Sequence, residues 1–450
     1  MDLAAALDYL ADHVSLEHDP APAAAARRLD RIRRLVGLMG DPQDAYPAIH
    51  LTGTNGKGST ARILTALLTA SGLRVGTYTS PHLQRLNERI AHAGEPIPDD
   101  DLGEVIGAVA GLEPLLGSRL THFEILTAAA LRHFADEAVD VAVVEVGLGG
   151  RWDATNVVDA EVAAVTNVAL DHVATIGPTT ADIAREKAGI VKPASTVIVG
   201  ETDPELAAAF TALPSKQAWH RDRDFGCPGN AAALAGRALE LVVPGARYPD
   251  LFLPAHGAFQ GDNAAVALAA AAAFFGRPPD AGVVAEGLAA ASLPGRLEVV
   301  GHRPLVVLDG AHNPAGAVAA TAAIEESFLT VPSGPAGGAG SSGETGPGSA
   351  PGRILVVGFL AGRDPEEMLR ALGVADARLV VACAPPSPRA LPPAAVAAAA
   401  TGLGCPARVV PPVGEAVDAA VEAAGTDGSV VVTGSLYVVG AARDHLVAQP

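Results

Sequence analysis

His50–Thr60 reads HLTGTNGKGST, and Glu145–Asn156 reads EVGLGGRWDATN. The first stretch is a glycine-rich turn between an apolar run, Ala48–Thr52, and a run of helical character, Thr60–Ala70. Glycines in such a turn let backbone N–H groups close on phosphate oxygens. The helix start adds positive potential, and Lys57 neutralises the outer phosphates. A turn that binds nothing would have no use for a lysine so placed. The strict phosphate loop carries a glycine where this chain has Leu51, and Ser or Thr where it has Gly58. The metal-binding hydroxyl must then come from Ser59 or from another segment.

A chain of 450 residues favours two domains over one. Apolar residues make up 49% of it and the mean hydropathy is +0.29, as in a well-buried globular protein, although much of that count is alanine. The net charge of −19 argues against a nucleic-acid or anionic-membrane partner, since either surface would repel it. Positive potential for a nucleotide must be local, from Lys57 and a few arginines. Cys227, Cys383 and Cys405 lie far apart without metal-ligand or redox spacing, which fits a reduced, cytoplasmic setting. The first residues carry acids and no basic region of a signal peptide. The longest alanine-rich run, Ala264–Phe275, is too short to span a bilayer.

Helices are expected over Asp2–Leu10 and Ala23–Met39. Strand-like runs then alternate with helical ones: Ala48–Thr52, helix Thr60–Ser71, Arg74–Thr79, helix His122–Asp136, Asp140–Val146, Glu161–Asn167, helix Ala181–Ala188 and Thr196–Gly200. Near-continuous apolar strands separated by helices predict a parallel sheet covered on both faces. Ligand groups then collect at the strands' carboxyl ends, where Thr52–Ser59, Ser80, Glu145–Asn156 and Asn167–His172 all fall. Residues 217–256 read as an irregular edge extension, and helices Asp262–Phe275 and Ala281–Ala291 close the first domain. Leu293–Glu298, LPGRLE, reads as a hinge. A second alternating series follows, through Leu305–Leu308, helix Ala315–Ser327, Arg353–Gly358, helix Pro365–Leu372, Leu379–Cys383, Ala407–Val410 and Ser429–Thr433. The expected fold is α/β, with a phosphate-loop domain on a mostly parallel sheet over residues 1–295. A smaller Rossmann-like domain is expected over 296–450. Residues 332–352 have no apolar content to order them and read as a flexible surface insertion.

Several residues carry candidate chemistry. Glu145 ends an apolar strand, a costly place for a carboxylate without a cation, and magnesium is the simplest partner. Ser80 offers a hydroxyl to a magnesium shell, although from spacing alone a Ser-Pro turn explains it better. His172, beside Asp171 after another strand, could bind the same metal or be structural. Lys187 reads, from the residues alone, as part of a solvated helix face. Asp309-Gly-Ala-His312-Asn313-Pro314 follows a strand, Arg296 precedes it, and Asn263 lies in a helix of the first domain.

These motifs occur in order with TSPHL, NERI, THFE, TNVALDH, IAREKAGIVKP, LPGR, LDGAHNP and TGSLY. Together they resemble the bacterial folylpolyglutamate synthase/dihydrofolate synthase family of the Mur ligase superfamily, over nearly the whole chain. The resemblance implies that Thr54, Asn55, Gly56, Lys57, Gly58 and Ser59 hold the ATP triphosphate, and that Asn263, Arg296 and Asp309 contact ATP. It implies magnesium at two sites, with Ser80, Glu145 and His172 as ligands and Lys187 carbamylated as a further one. Lys57, Lys187 and His312 are the implied catalytic residues. Thr121, His122, Phe123, Glu124, Trp152, Asp153 and Ala154 match the acceptor side, with Asp153 expected at the pterin ring. The implied partners are dihydropteroate or a reduced folate together with L-glutamate, handled by a monomer. Phe259 stands where the family usually has histidine, and LDRIRRLVGLMGDPQ is a looser match.

The activity the resemblance implies is ATP-dependent amide formation: a carboxylate is phosphorylated and the acyl phosphate is attacked by the amine of L-glutamate. A regulatory GTPase would carry Asn-Lys-x-Asp, which this sequence lacks. A non-catalytic scaffold would have lost Ser80, Glu145 and His172. A cell-wall Mur ligase would share the ATP loop but has no reason to carry TSPHL, THFE and GGRWDATN together.

Overall fold

The computed structural model describes residues 1–15, 29–173, 175–329 and 352–447. The first part of the helix expected over Ala23–Met39 and nearly all of the expected insertion 332–352 lie outside these. The chain divides into two compact units, one of residues 1–254 and 258–293, the other of 255–257 and 294–450.

In the first unit the apolar runs form the strands β1 (Ala48–Thr52), β2 (Val75–Tyr78), β5 (Val141–Glu145), β6 (Val162–Val165) and β7 (Thr196–Val199). Every residue of all five is buried, as strands sandwiched between helices require. Among the described residues the sheet order is β4-β3-β2-β5-β1-β6-β7-β8. Strands β3 (Ile90–His92) and β4 (Glu95–Pro96) add antiparallel at one edge, and β8 (Gln217–His220) adds parallel at the other. Helices Leu3–Ala11, Asp30–Leu38, Asp99–Leu112 and His122–Asp136 share one apolar core with β2 and β5. Helix Lys57–Ala70 packs on Phe259–Phe275 and Ala281–Ala290.

The expected edge extension over 217–256 is corrected: only β8 extends the sheet. Strands β9 (Gly226–Ala233), β10 (Gly236–Val243) and β11 (Ala246–Leu253) form a separate antiparallel sheet that packs on helix Phe259–Phe275. Their alternating burial, clearest in β10, is that of a sheet with one face in the core and one in water.

The second unit holds a sheet of order β12-β13-β17-β14-β15-β16 among the described residues. Its strands are β12 (Arg296–His302), β13 (Leu305–Asp309), β14 (Arg353–Val357), β15 (Ala377–Ala382), β16 (Ala407–Val409) and β17 (Ser429–Thr433). All pair in parallel except the edge strand β12, antiparallel to β13. The end of the expected hinge, Arg296–Glu298, is therefore the start of a strand. Among the described residues no helix is long and apolar enough to cross a membrane.

Candidate active site

The turn after β1 enters its helix at Lys57, ahead of the expected Thr60, through Gly56. Gly56 has φ +83°, in the left-handed region. A Cβ there would also stand 2.3 Å from Asn263 Oδ1, so glycine alone fits. Asn263 in turn donates to Gln260 Oε1 at 2.9 Å. The segment after β6 laces the loop in place. Thr54 N–H donates to Asn167 O and Asn55 N–H to Asn167 Oδ1, both at 3.0 Å, and Asn167 Nδ2 donates back to Asn55 O at 3.0 Å. Thr54 Oγ1 accepts Ala169 N–H at 3.0 Å and donates to Ala169 O at 3.1 Å. Asn167 is thus part of the loop's frame; the sequence put it in a strand-end segment but did not single it out as a site residue. Its signal was a Thr-Asn pair directly after an apolar strand.

Two lysines converge on one carbonyl. Lys57 Nζ folds back to Gly53 O (3.1 Å) and Thr54 O (3.4 Å), and Lys187 Nζ donates to the same Gly53 O at 2.7 Å. Lys187 is only 4% exposed, so the solvated helix face expected for it is overturned. Burial, followed by the charge of Lys57, pushes its pKa from 10.5 down to about 7 against the pull of Asp171, Asp153 and Glu186. The helix Thr180–Lys187 delivers it by pressing its end into the loop after β5. Arg151 N–H donates to Glu186 O at 2.9 Å, and a Cβ on Gly150 would stand 2.8 Å from Lys187 O. The paired glycines of EVGLGGRWDATN answer that close approach.

The same loop is tied to β1 at two points. Thr52 Oγ1 donates to Gly149 O at 2.8 Å, and His50 Nε2 lies 2.8 Å from Thr155 Oγ1. Burial pushes the His50 pKa down to about 3, so its ring is neutral. Thr155 Oγ1 hydrogen-bonds Asp153 Oδ1, which also accepts Thr155 N–H at 3.0 Å, while Asp153 Oδ2 accepts Leu148 N–H at 2.8 Å. Asp153 is buried, and burial raises its pKa. The carboxylate expected at a pterin ring is thus also held by three bonds within its own loop.

Glu145 closes β5 and is buried. Ser80 N–H donates to its Oε2 at 3.2 Å, and a Cβ on Gly58 would stand 3.5 Å from that oxygen. Loop, Ser80 and Glu145 are thus brought together. His172, with φ +49°, has its Nε2 3.8 Å from Asp171 Oδ1 and a half-exposed ring. Among the described residues no group of three or more His, Cys, Asp or Glu is arranged around a metal. The donors that fit a hard cation here are oxygens.

Among the residues expected on the acceptor side, Thr121 and Glu124 form a capping box at the start of helix His122–Asp136, and Arg31 Nε donates to Glu124 Oε1 at 3.1 Å. His122 N–H donates to Val14 O at 3.0 Å. Phe123 packs where a Cβ on Gly147 would be, and its ring lies 5.9 Å from that of Tyr78. Ala154 is buried in the turn that Asp153 caps. Trp152 alone of these presents a large exposed apolar face.

In the second unit, Asp309 ends β13 and is 5% exposed. Burial raises its pKa, opposed by the charge of Arg296 and by N–H groups. His312 Nδ1 lies 3.0 Å from Gly310 O, and Asn313 Oδ1 caps helix Pro314–Ile324 through Gly316 N–H at 2.8 Å. Gly434 N–H donates to Ala311 O at 3.1 Å, joining the DGAHNP and TGSLY motifs at the ends of β13 and β17.

This fold and loop are those of the Mur ligases. The Mur ligase middle domain matches residues 51–271, and the Mur ligase glutamate ligase domain matches 295–436. The chain is 42% identical to a dihydrofolate synthase/folylpolyglutamate synthase of Mycobacterium tuberculosis, over 67% of this chain and 66% of that one. It is 37% identical to a folylpolyglutamate synthase of Lacticaseibacillus casei, over 93% of this chain and 94% of that one. Among solved structures, the bifunctional folylpolyglutamate synthase/dihydrofolate synthase of Yersinia pestis, complexed with AMPPNP and a manganese ion, superposes with a TM-score of 0.82. That match has 30% identity and covers 99% of this chain and 98% of that one. The chain belongs to the folylpolyglutamate synthase/dihydrofolate synthase family.

Proposed function

We propose that this chain joins L-glutamate to two acceptors with ATP: to dihydropteroate, giving dihydrofolate, and to folates that already carry glutamate, giving polyglutamates. The observation that carries the reading is the convergence of a phosphate loop, Lys57, Lys187 and Glu145 at the carboxyl ends of adjacent strands. An acceptor carboxylate oxygen attacks the γ-phosphorus and ADP leaves. The amine of glutamate then attacks the acyl phosphate, and phosphate departs as the amide forms. The protein's part is alignment and charge neutralisation. Lys57, held on Gly53 O and Thr54 O, exchanges those carbonyls for phosphate oxygens.

In this reading Ser80 and Glu145, which already meet, would hold one magnesium ion with His172, and a carbamylated Lys187 would hold a second; the ions would neutralise phosphate charge. A low-pKa amine supports carbamylation, because only the neutral amine attacks carbon dioxide. Residues 1–295 supply the triphosphate and acceptor sites in this reading, and residues 296–450 supply Arg296, Asp309 and His312.

The names of the relatives favour both acceptors, since two of the three carry both activities. Steady-state kinetics with each acceptor at saturating ATP and glutamate decide it. Turnover of both is expected. Folate extension without dihydropteroate turnover would reduce the assignment to a polyglutamate synthase.

A further inference from the structure

Strand β10 reads GRALELVV, and Arg237 is buried in it together with Leu239, Leu241 and Val243. The sheet that β10 belongs to packs on helix Phe259–Phe275. Arg237 is 1% exposed, and a guanidinium so buried is costly unless its donors are used. Two of them go to one residue of β9. Arg237 Nε donates to Asn230 Oδ1 at 2.7 Å, and Nη2 donates to Asn230 O at 3.0 Å.

An amide whose oxygen is committed to a guanidinium turns its N–H groups the other way. Asn230 Nδ2 donates to Ala258 O at 2.7 Å. Helix Phe259–Phe275 starts from Ala258, whose carbonyl also accepts Gly261 N–H at 3.0 Å. A Cβ on Gly261 would stand 2.4 Å from Asn230 Nδ2 and 2.9 Å from Cys227 Sγ. Glycine inside a helix is unfavourable in itself, and here it lets the amide reach the helix backbone. Gln260 and Asn263, both buried, lie in the same first turns. Asn263 Nδ2 donates to Gln260 Oε1 at 2.9 Å, while its Oδ1 occupies the space beside Gly56 of the phosphate loop.

We propose that Asn230 is a positioning residue for Asn263. Its amide, oriented by the buried guanidinium of Arg237, pins the first turn of helix Phe259–Phe275 to β9. That turn sets how closely Asn263 stands to the phosphate loop at Gly56. The antiparallel sheet thereby bears on the nucleotide site through the helix.

The inference rests on the nucleotide-binding reading above, with Asn263 as the group that meets ATP. Asn230→Asp separates the two bonds: a carboxylate still accepts from Arg237 but sets an oxygen against Ala258 O. Calorimetry is expected to show AMPPNP–magnesium affinity about fivefold weaker, with the KM values for acceptor and glutamate unchanged. A merely structural loss would lower the amount of active protein and leave the affinity of the folded fraction unmoved. In an Asn263→Ala background the same substitution is expected to weaken binding no further. Wild-type affinity in Asn230→Asp, or the same fivefold loss in both backgrounds, would overturn the inference. Hydrogen exchange of the nucleotide-free protein keeps it apart from the reading it rests on. Asn230→Asp is expected to speed exchange at Gly261–Ala265 and at Gly56–Thr60, leaving Ala270–Phe275 as in wild type. Unchanged exchange at the first two segments would refute the positioning role whatever the affinities show. Wild-type protein that bound no AMPPNP, or Asn263→Ala that bound it as tightly as wild type, would count against the nucleotide reading alone, and exchange would still decide the positioning. Where Asn230→Asp fails to fold, Gly261→Ala replaces it: the new Cβ displaces the Asn230 amide, and the same losses are expected.

Discussion

Replacing Lys187 by methionine should stabilise the nucleotide-free protein while destroying its activity. Methionine keeps the length and flexibility of the side chain and removes its charge. In the folded chain the pKa of Lys187 is about 7 against an ordinary 10.5. At about 1.4 kcal/mol per pH unit, that difference costs the folded state ~4 kcal/mol at pH 7. The lost hydrogen bond to Gly53 O returns ~1 kcal/mol of this, leaving a net gain of ~2–3 kcal/mol for the variant. The sign has a pH signature. Between pH 7 and about 10.5 the unfolded chain holds a proton that the folded chain does not, so wild-type stability rises with pH over that window and is flat below it. The variant lacks this rise, and the two proteins converge at high pH. Urea unfolding in carbon-dioxide-depleted buffer at pH 7 and pH 10 measures it, alongside ligation at pH 8. Activity is expected to fall at least ~100-fold, the scale of losing a metal-borne charge contribution of several kcal/mol. A variant less stable than wild type at pH 7, or one that still ligates well, would refute the reasoning.

Lys57→Ala should leave the unfolding midpoint within ~0.5 kcal/mol of wild type but remove ligation, since the side chain bonds only loop carbonyls; circular dichroism with a phosphate-release assay checks both. Gly56→Ala should weaken AMPPNP binding at least ~10-fold and destabilise by ~1–3 kcal/mol, because the new Cβ meets Asn263 in a left-handed turn; calorimetry and unfolding read the two effects. Asp153→Asn should destabilise by ~1–3 kcal/mol and lower turnover of both acceptors alike, as loss of a loop brace would. A loss confined to dihydropteroate would instead put the carboxylate at the pterin.

The parallel sheet of the first unit was legible because β1, β5, β6 and β7 are apolar runs broken by a glycine turn and by helices with ordinary stop signals. The loop itself was legible for the same reason: its glycines and lysine carry their function in their type. Helix Asp99–Leu112 was passed over despite its run of N-terminal acids, a helix-start signal that went unused. The sheet of β9, β10 and β11 was blurred by glycine, proline and alanine in strand positions. Burial of Lys187 could not be read, because a lysine next to Glu186 looks the same on a wet helix face. Nor could the bonds by which Asp153 and Asp309 hold backbone N–H groups, since a carboxylate so held and one in water are the same letter. Leu297, with φ +50°, is the extreme case: nothing in LPGRLE marks the register shift between Arg296 and Glu298 that leaves it unpaired with β13.

The central claim is that a carboxylate is activated by phosphorylation and then captured by glutamate. Acceptor labelled with oxygen-18 in its carboxylate tests this most directly, because the attacking oxygen must leave with the phosphate. The purified protein, given labelled dihydropteroate or folate, ATP, magnesium and L-glutamate, should release one labelled oxygen into phosphate for each amide bond formed. Amide formation with unlabelled phosphate, or ATP cleavage independent of acceptor and glutamate, would contradict the account.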